Sequence, residues 1–398
     1  MSTIEASEGK IITDVIPYVQ AAISMQIDGN KDVAIPYLQG LPGMGKTALI
    51  QKLVSNIGAN LVHCHFALLP LEDLSGIPQF KPIQFNEKEA VGTEWSIPEL
   101  ITKICRAGED GKPVVVFLDD FHLCSPAHLE LMFEMFTEWS LRGFELPAKT
   151  AFALAGNTSS KAGAKVQNSA ISNRIASYPV RIDFEAWKRF AIKNDVNRKI
   201  VAFLSKDIYR SHIEEEELVN EQFGSARSWT RLSYLLNPLE KFKKGDVPTH
   251  ELLYISKAHV GKNAASKFAS FYKLFSSVNT EELFKVGSQY EISIPKEMDK
   301  LYIFIMAVCS EFSTCMYAQF ESKNANFPID HYYDVAAKII LMTANESKDM
   351  ALVAIQEIII HASAYNQYTK VEKKLRENMM RINSKLTEEI YNVTDELV

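Results

Sequence analysis

The chain has 398 residues, more than one hydrophobic core usually serves, so we expect two or three domains. Its shares of hydrophobic residues (47%) and charged residues (23%) are ordinary for a soluble globular protein. The net charge of −6 gives no general reason to expect nucleic-acid binding, although a local basic channel would not show in that sum.

Cysteine usage and the first residues bear on the compartment. The five cysteines are odd in number and include no C-x-x-C pair, which favours reduced thiols in a cytosolic setting over a disulfide framework or a zinc site. Residues 1–20 carry acidic side chains and lack the basic start and apolar centre of a signal peptide, and the apolar runs are too short to span a bilayer. We therefore expect a soluble cytoplasmic protein without a membrane partner.

The first predicted elements lead into a glycine-rich turn. Apolar residues recur at helical spacing over residues 11–24, and Val33–Leu38 has the composition of a strand. The segment Gly40-Leu-Pro-Gly-Met-Gly-Lys-Thr47 then reads G-x-x-x-x-G-K-[ST] and continues into a helix-compatible run, Ala48–Val54. In this order of strand, loop and helix, backbone N–H groups can wrap phosphate oxygens at a helix N-terminus.

The residue types in this turn suit phosphate chemistry. Gly43 and Gly45 permit positive φ and a close approach of the backbone to a ligand. Lys46 can reach the β- and γ-phosphates, and Thr47 can place its hydroxyl on Mg²⁺. The alternative is a glycine-rich turn that matches by chance. The predicted contacts to a nucleoside triphosphate are Gly40, Leu41, Pro42, Gly43, Met44, Gly45, Lys46, Thr47 and Ala48.

Strand signals continue beyond this turn. Asn60–Phe66 has the length and apolar content of a second strand, and Gln79–Trp95 alternates apolar and polar residues around Gly92, which indicates a hairpin or projecting loop. Glu99–Arg106 has the pattern of a short helix. In Val114–Asp120, five apolar residues run into two carboxylates, which suits a strand buried on both faces of a parallel sheet.

Strand and helix signals continue to about residue 184, and the rest of the chain is then predicted to be helical. Residues 126–139 form an amphipathic helix, Ala151–Gly156 a short buried strand, and Tyr178–Phe184 a fifth strand. Strands alternating with helices predict a mostly parallel α/β sheet with ligands at the carboxyl ends of the strands. Helical stretches are then expected near 185–206, 225–240, 251–276, 296–320, 331–344, 347–364 and 367–392.

Three polar side chains follow the buried strands. Asp119 can orient Mg²⁺ through water, and Asp120 can polarise an attacking water as a general base. Asn157 can hold that water by a hydrogen bond. The alternatives are a surface turn for the two carboxylates and an ordinary turn residue for Asn157.

The order of these motifs resembles that of the AAA+ ATPases, over roughly residues 11–277. In that resemblance Gly40–Thr47 is the Walker A motif, Leu118-Asp119-Asp120 is the Walker B motif, and Asn157 matches sensor 1. It implies an α/β P-loop core with a parallel sheet between helices. The expected domains are a nucleotide-binding core over 1–183, an α-helical lid over 184–278, and a helical C-terminal region of unknown role over 279–398.

Two arginines complete the resemblance. Arg174, in Ile171-Ser-Asn-Arg-Ile175, matches the arginine finger that a neighbouring subunit supplies, and Arg227 looks like the sensor 2 arginine of the lid. A guanidinium stabilises charge on the γ-phosphate in the transition state. The alternative for each is a surface salt bridge, and Arg181 is a second candidate for either role.

Within the AAA+ class, three stretches resemble the MoxR-like branch. They are Leu71–Pro78 before the hairpin, Glu138–Pro147 before sensor 1, and Ala258–Phe268 in the lid. The resemblance implies ATP and Mg²⁺ as cofactors, assembly into a ring, expected to be a hexamer, and chaperone activity. Members of that branch are thought to remodel or activate partner proteins, often ones with a von Willebrand A domain.

One residue departs from the AAA+ pattern. The class usually has Glu after the first Walker B aspartate, and this chain has Asp120. A side chain one methylene shorter would sit back from the water by about 1 Å, and a misplacement of that size can cost about 10²-fold in rate. Slow hydrolysis is one interpretation. The other is that the backbone adjusts and Asp120 works normally.

The leading hypothesis is therefore a ring-forming ATPase that remodels a client protein. One alternative is a nucleic-acid motor or loader, which the acidic net charge disfavours. The other is a nucleotide-gated assembly factor with very slow turnover. The sequence names no client and does not choose between ATP and GTP.

Some other side chains have open interpretations. His63 and His65 flank Cys64 on a predicted strand and share a face, but no metal-site spacing is present, so packed or hydrogen-bonded histidines are favoured over a metal site that also draws in His122 and Cys124. The aromatic residues of the two hairpin segments can either face a ring pore or pack on their own domain. They are Phe80, Phe85, Trp139 and Phe144.

Overall fold

A computed structural model describes residues 10–157, 169–214, 222–286, 292–317 and 329–395. The chain divides into two compact units, Met1–Asp183 and Phe184–Val398. The expected division into a core, a lid and a C-terminal region stays a prediction.

The described part of the first unit contains both strands and helices. The strands are β1 Lys10–Ile11, β2 Ile35–Gln39, β3 Asn60–His65, β4 Pro78–Phe85, β5 Lys88–Trp95, β6 Val114–Asp119, β7 Ser140–Leu141, β8 Phe144–Glu145, β9 Thr150–Gly156 and β10 Ile175–Arg181. The α-helices are α1 Ile16–Ile27, α2 Lys46–Asn56, α3 Leu71–Ser75, α4 Glu99–Ala107, α5 Pro126–Glu138 and α6 Ser169–Ser172, and short 3₁₀ turns lie at Ile12–Val15, Phe66–Leu68 and Phe121–Leu123.

The described strands of this unit build one parallel sheet and two hairpins. The sheet has six strands in the order β1-β10-β2-β9-β6-β3, and all its neighbours pair in parallel. The predicted hairpin over Gln79–Trp95 is confirmed as the antiparallel pair β4–β5, and β7–β8 form a second, shorter one. The predicted α/β fold class with a parallel sheet is confirmed.

Both faces of β6 are buried, as its apolar run predicts. Val114, Val116 and Leu118 pack against α4 and α5, whereas Val115 and Phe117 pack with α1 and α2 on the other face. All six residues of β6 are buried. Alternate side chains of one strand therefore supply two cores, which is why this strand reads as a continuous apolar run.

The predicted fifth strand is displaced in the chain. It spans Ile175–Arg181, because Ile175-Ala-Ser177 pair with β2, whereas Asp183 accepts a hydrogen bond from Thr13 at 2.5 Å. Phe184 already begins the next helix. Of the first three residues of β10, only Ile175 is of a type enriched in strands, because Ala176 and Ser177 are small and carry little strand signal.

Helices make up the described regular structure of the second unit, as predicted. They are α7 Phe184–Lys193, α8 Arg198–Ser205, α9 Asp207–Glu214, α10 Ala226–Lys243, α11 Thr249–Val260, α12 Lys262–Ser276, α13 Thr280–Val286, α14 Met298–Tyr317, α15 Ile329–Glu346, α16 Lys348–Ala364, α17 Tyr368–Ile382 and α18 Ser384–Asp395. The predicted stretch 251–276 is two helices, since Gly261 adopts φ 84° between them. None of the described helices combines the length and apolar character needed to cross a membrane.

Candidate nucleotide-binding site

The loop Gly40–Gly45 joins the carboxyl end of β2 to the start of α2. Gly43 and Gly45 have φ of 79° and 104°, a region that residues with a side chain rarely adopt. Gly45 is the N-cap of α2, and among the described residues no side chain caps this helix. Its first turn therefore presents the partial positive charge of a helix N-terminus, to which an anion is attracted.

Gly40 is required by close packing. A Cβ at this position would lie 2.6 Å from the Val180 carbonyl oxygen and 2.6 Å from the Met44 sulfur. The Gly40 N–H donates to the Gly156 carbonyl at 3.2 Å. The loop is thus held between β10 and β9, the two strands that flank β2.

Lys46 connects the loop to the end of β9. Its side chain is only 7% exposed, and its ammonium donates to the carbonyl oxygens of Gly40 at 2.7 Å and Leu41 at 3.0 Å. The same ammonium donates to Asn157 Oδ1 at 3.0 Å. The predicted catalytic residues Lys46 and Asn157 are therefore in direct contact.

Thr47 and Asp119, the predicted Mg²⁺ ligands, are also in contact. The Thr47 hydroxyl donates to Asp119 Oδ2 at 2.7 Å, and Asp119 is 9% exposed at the end of β6. Hydroxyl and carboxylate oxygens are the ligands that Mg²⁺ takes from proteins. The donor set therefore fits this ion.

Asp120 has an unusual backbone. Its φ of 55° and ψ of 30° lie in the left-handed region, between β6 and the turn Phe121–Leu123. A non-glycine residue in that region costs free energy and is held there by its surroundings, an arrangement that is common at functional sites. His65 Nδ1 lies 2.9 Å from Asp120 Oδ2, so an imidazole contacts the predicted general base.

The sequence does not predict the histidines that join this site. His63 Nε2 lies 3.4 Å from Asp119 Oδ2, and His122 Nδ1 accepts a hydrogen bond from the Asn157 N–H at 3.1 Å. Burial lowers the pKa of His122, which keeps the ring neutral and able to accept. The signal for His63 and His65 is the pairing of β3 with β6, which no local pattern reveals.

Arg174 lies at the amino end of β2, whereas the glycine-rich loop of the same chain follows the carboxyl end of that strand. Its carbonyl accepts from Ile35 N–H at 2.8 Å, just before β10 and at the start of β2. Because β2 has five residues, its two ends lie about 16 Å apart. The guanidinium carbon sits 4.4 Å from the centre of the Phe133 ring. The structure therefore does not bring Arg174 to its own glycine-rich loop.

The other two arginines lie elsewhere. Arg181 is exposed and is the last residue of β10, so it lies at the carboxyl ends of the strands, where the loop Gly40–Gly45 begins. Arg227 belongs to the second unit, exposed in the first turn of α10, whose N-terminus Ser225 caps through a reciprocal pair with Ser228. The roles of these arginines stay predictions.

The aromatic residues of the hairpins differ in exposure. Phe80 on β4 is 79% exposed, whereas Trp139 is 5% exposed and packs 5.1 Å from the Phe152 ring. Phe144 is half-buried against the same core, and the Phe85 side chain lies outside what the structure describes. Packing on the domain is therefore correct for Trp139 and Phe144, and Phe80 remains available to a partner.

Comparison with known proteins gives distant structural similarities. No known protein family and no curated protein matches the sequence. Among solved structures, the RuvB Holliday junction branch migration motor of Thermotoga maritima is 16% identical over 70% of this chain and 78% of that one, with a TM-score of 0.36. A point mutant of the same RuvB is 15% identical over 68% and 76%, also with a TM-score of 0.36. A likeness at this level indicates no reaction or partner for the present chain.

Proposed function

We propose that this chain is an ATPase of the AAA+ class that binds ATP with Mg²⁺ at the carboxyl ends of β2, β6 and β9. The observation that carries the proposal is the contact network at the carboxyl ends of these strands. Lys46 donates to Asn157, and Thr47 donates to Asp119, around a loop with two glycines at positive φ. Residues that are far apart in the sequence thus form one phosphate- and Mg²⁺-type site.

Each residue of the network has a role in hydrolysis. The Lys46 ammonium and the N-terminus of α2 would hold phosphate oxygens, and Thr47 and Asp119 would hold Mg²⁺. When bound, this ion neutralises charge that develops on the phosphates. Asp120 would accept a proton from the attacking water, and Asn157 would orient that water. His122 contributes by fixing the backbone of Asn157.

We further propose that the chain acts in the cytoplasm as a MoxR-like ring, expected to be a hexamer, on a client protein that carries a von Willebrand A domain. The support for a ring is the place of Arg174, which its own glycine-rich loop cannot use. The support for a protein client is Phe80, an aromatic side chain left exposed on the β4–β5 hairpin.

Replacing Lys46 with alanine tests nucleotide binding. We expect the Kd for Mg·ATP, measured by isothermal titration, to rise at least about 30-fold, because truncating one partner of a buried charged contact costs about 2 kcal/mol or more. Lys52→Ala, on the exposed face of the same helix, should leave the Kd unchanged. The same titration with GTP decides the base preference. A parent chain that binds neither nucleotide would contradict the proposal.

A second candidate is a nucleotide-gated assembly factor with slow turnover. It is favoured by Asp120, whose short carboxylate is already engaged by His65. Asp120→Glu should then raise kcat, by up to about 100-fold, because the longer side chain restores the reach to water. Asp120→Asn, which has no base, is the matched control and should show no turnover. If Asp120→Glu lowers kcat instead, Asp120 is the working base and the slow-turnover hypothesis is wrong.

A further inference from the structure

We propose that His63, His65 and Asp119 form a binding site for a divalent transition metal, and specifically for Zn²⁺, beside the predicted Mg²⁺ ligands. The sequence alone favours packed or hydrogen-bonded histidines at these positions. The structure changes that interpretation, since it brings both rings to the carboxylates at the end of β6.

The register of the sheet places the three side chains on one face. His65 pairs with Asp119 and His63 pairs with Phe117, in the parallel ladder of β3 and β6. Because side chains alternate along a strand, His63, His65 and Asp119 point to the same side. Cys64 points to the other side and packs in the core that contains Leu118. The site therefore offers nitrogen and oxygen ligands without a thiolate.

The spacing of the ligand atoms is close to that of a zinc site. One ligand atom from each of the three residues can be chosen so that all lie within 4.8 Å of one another. At Zn–N and Zn–O distances of about 2.0–2.2 Å, tetrahedral ligands lie about 3.4 Å apart. His63 Nε2 and Asp119 Oδ2 are already at 3.4 Å. Where two of the three ligand atoms are as far apart as 4.8 Å, a ring must move by about 1.4 Å (4.8 − 3.4) for both to bind the same ion.

The burial of the three residues allows this movement. The His65 side chain is 49% exposed, so its ring can turn without disturbing a core. His63 and Asp119 are more sheltered, with side chains 27% and 12% exposed, and the His63 ring lies 5.1 Å from the ring of Phe117. Two ligands are thus held and the third adapts.

The ligand types select the metal. Two imidazoles and one carboxylate suit Zn²⁺, with a fourth position left for water, whereas Mg²⁺ prefers six oxygen ligands. Asp119 Oδ2 is also the atom that accepts the Thr47 hydroxyl. Zn²⁺ at the histidine pair would therefore draw on the same oxygen as Mg²⁺. It would weaken Mg·ATP binding, and this consequence alone rests on the proposed function.

The test begins without nucleotide or Mg²⁺. The purified chain is titrated with ZnCl₂ by calorimetry and with CoCl₂ by visible absorption. We expect one saturable site, with d–d bands but no thiolate charge-transfer band. His63→Ala and His65→Asn should each weaken Zn²⁺ binding about 100-fold, since loss of an outer partner alone costs about 10–100-fold. His65→Asn keeps a donor toward Asp120, and circular dichroism checks its fold.

The matched control is His250→Ala, whose ring is 83% exposed in the second unit and should not affect binding. No saturable Zn²⁺ binding by the parent, or binding that survives both variants, would overturn the site. In a second titration, Zn²⁺ should raise the Kd for Mg·ATP in the parent but not in His65→Asn. Unchanged ATP affinity in the parent would refute the competition. A parent that binds Zn²⁺ but no nucleotide would refute the proposed function and leave the metal site standing.

Discussion

Replacing Arg174 with alanine should lower ATP turnover of the assembled protein by about 10³-fold or more, while each subunit still binds nucleotide. A guanidinium stabilises the charge that the γ-phosphate develops in the transition state, and arginine fingers contribute about 10³–10⁵ in rate. Nothing in the substitution touches the loop that binds the nucleotide, so the loss should fall on kcat.

In the proposed ring, the position of Arg174 makes this effect one between subunits. Its backbone pairs with Ile35 at the start of β2, and the glycine-rich loop begins after the end of that strand. A side chain at one end of β2 does not reach the other end of that strand, about 16 Å away. Only a neighbouring copy can therefore present an Arg174 guanidinium to a given nucleotide.

Hydrolysis per subunit, measured against protein concentration, tests this directly. Specific activity should rise with concentration in the parent and stay low in Arg174→Ala at every concentration. Mixing Arg174→Ala with Asp119→Asn should restore part of the activity, because some sites then combine an intact Asp119 with a neighbour's intact arginine.

The matched control is Arg181→Ala, since Arg181 ends β10 on the same side of the sheet as the glycine-rich loop of its own chain. A loss caused by Arg181→Ala that is independent of concentration would assign the charge-stabilising role to Arg181 instead. Parent activity that is independent of concentration and indifferent to Arg174 would contradict the ring.

The parts of the site that the sequence predicts are those whose chemistry is local. The glycines, lysine and threonine of Gly40–Thr47 act within one turn, so their spacing alone indicates phosphate binding. Asp119 and Asp120 are predictable because a buried parallel strand ends at them. Asn157 follows the same rule after β9.

The parts that the sequence misses depend on which strands are neighbours. His63 and His65 meet the carboxylates only because β3 lies beside β6. His122 meets Asn157 because β6, which His122 follows, lies beside β9. A strand pattern gives the length and faces of a strand but not its neighbours. Likewise, helical periodicity predicts the second unit as helices without predicting which charged residues meet inside it.

Replacing Glu357 with alanine should destabilise the second unit by about 3–5 kcal/mol. Glu357 Oε2 accepts from the Lys188 ammonium at 2.5 Å, and the two side chains are only 6% and 3% exposed. Alanine at 357 would leave the Lys188 ammonium buried without its carboxylate. An uncompensated buried charge is among the most costly defects that a single substitution can create.

The nearby histidine does not replace the missing carboxylate. His361 Nε2 lies 3.8 Å from Glu357 Oε1, beyond hydrogen-bond distance. Burial, together with the Lys188 cation, lowers the pKa of His361 to about 3. The ring is therefore neutral at pH 7 and carries no charge that could balance Lys188.

Urea unfolding, followed by intrinsic tryptophan fluorescence, to which Trp187 and Trp229 of the second unit contribute, measures the loss. Glu389→Ala is the matched control, because Glu389 pairs with Lys348 on the surface, 41% and 51% exposed, and its removal should change little. The double change Lys188→Met with Glu357→Leu should recover most of the stability, since apolar residues of similar volume can replace a buried ion pair. A single Glu357→Ala variant as stable as Glu389→Ala would mean that water reaches Lys188, and the pair would then contribute no more than a surface contact.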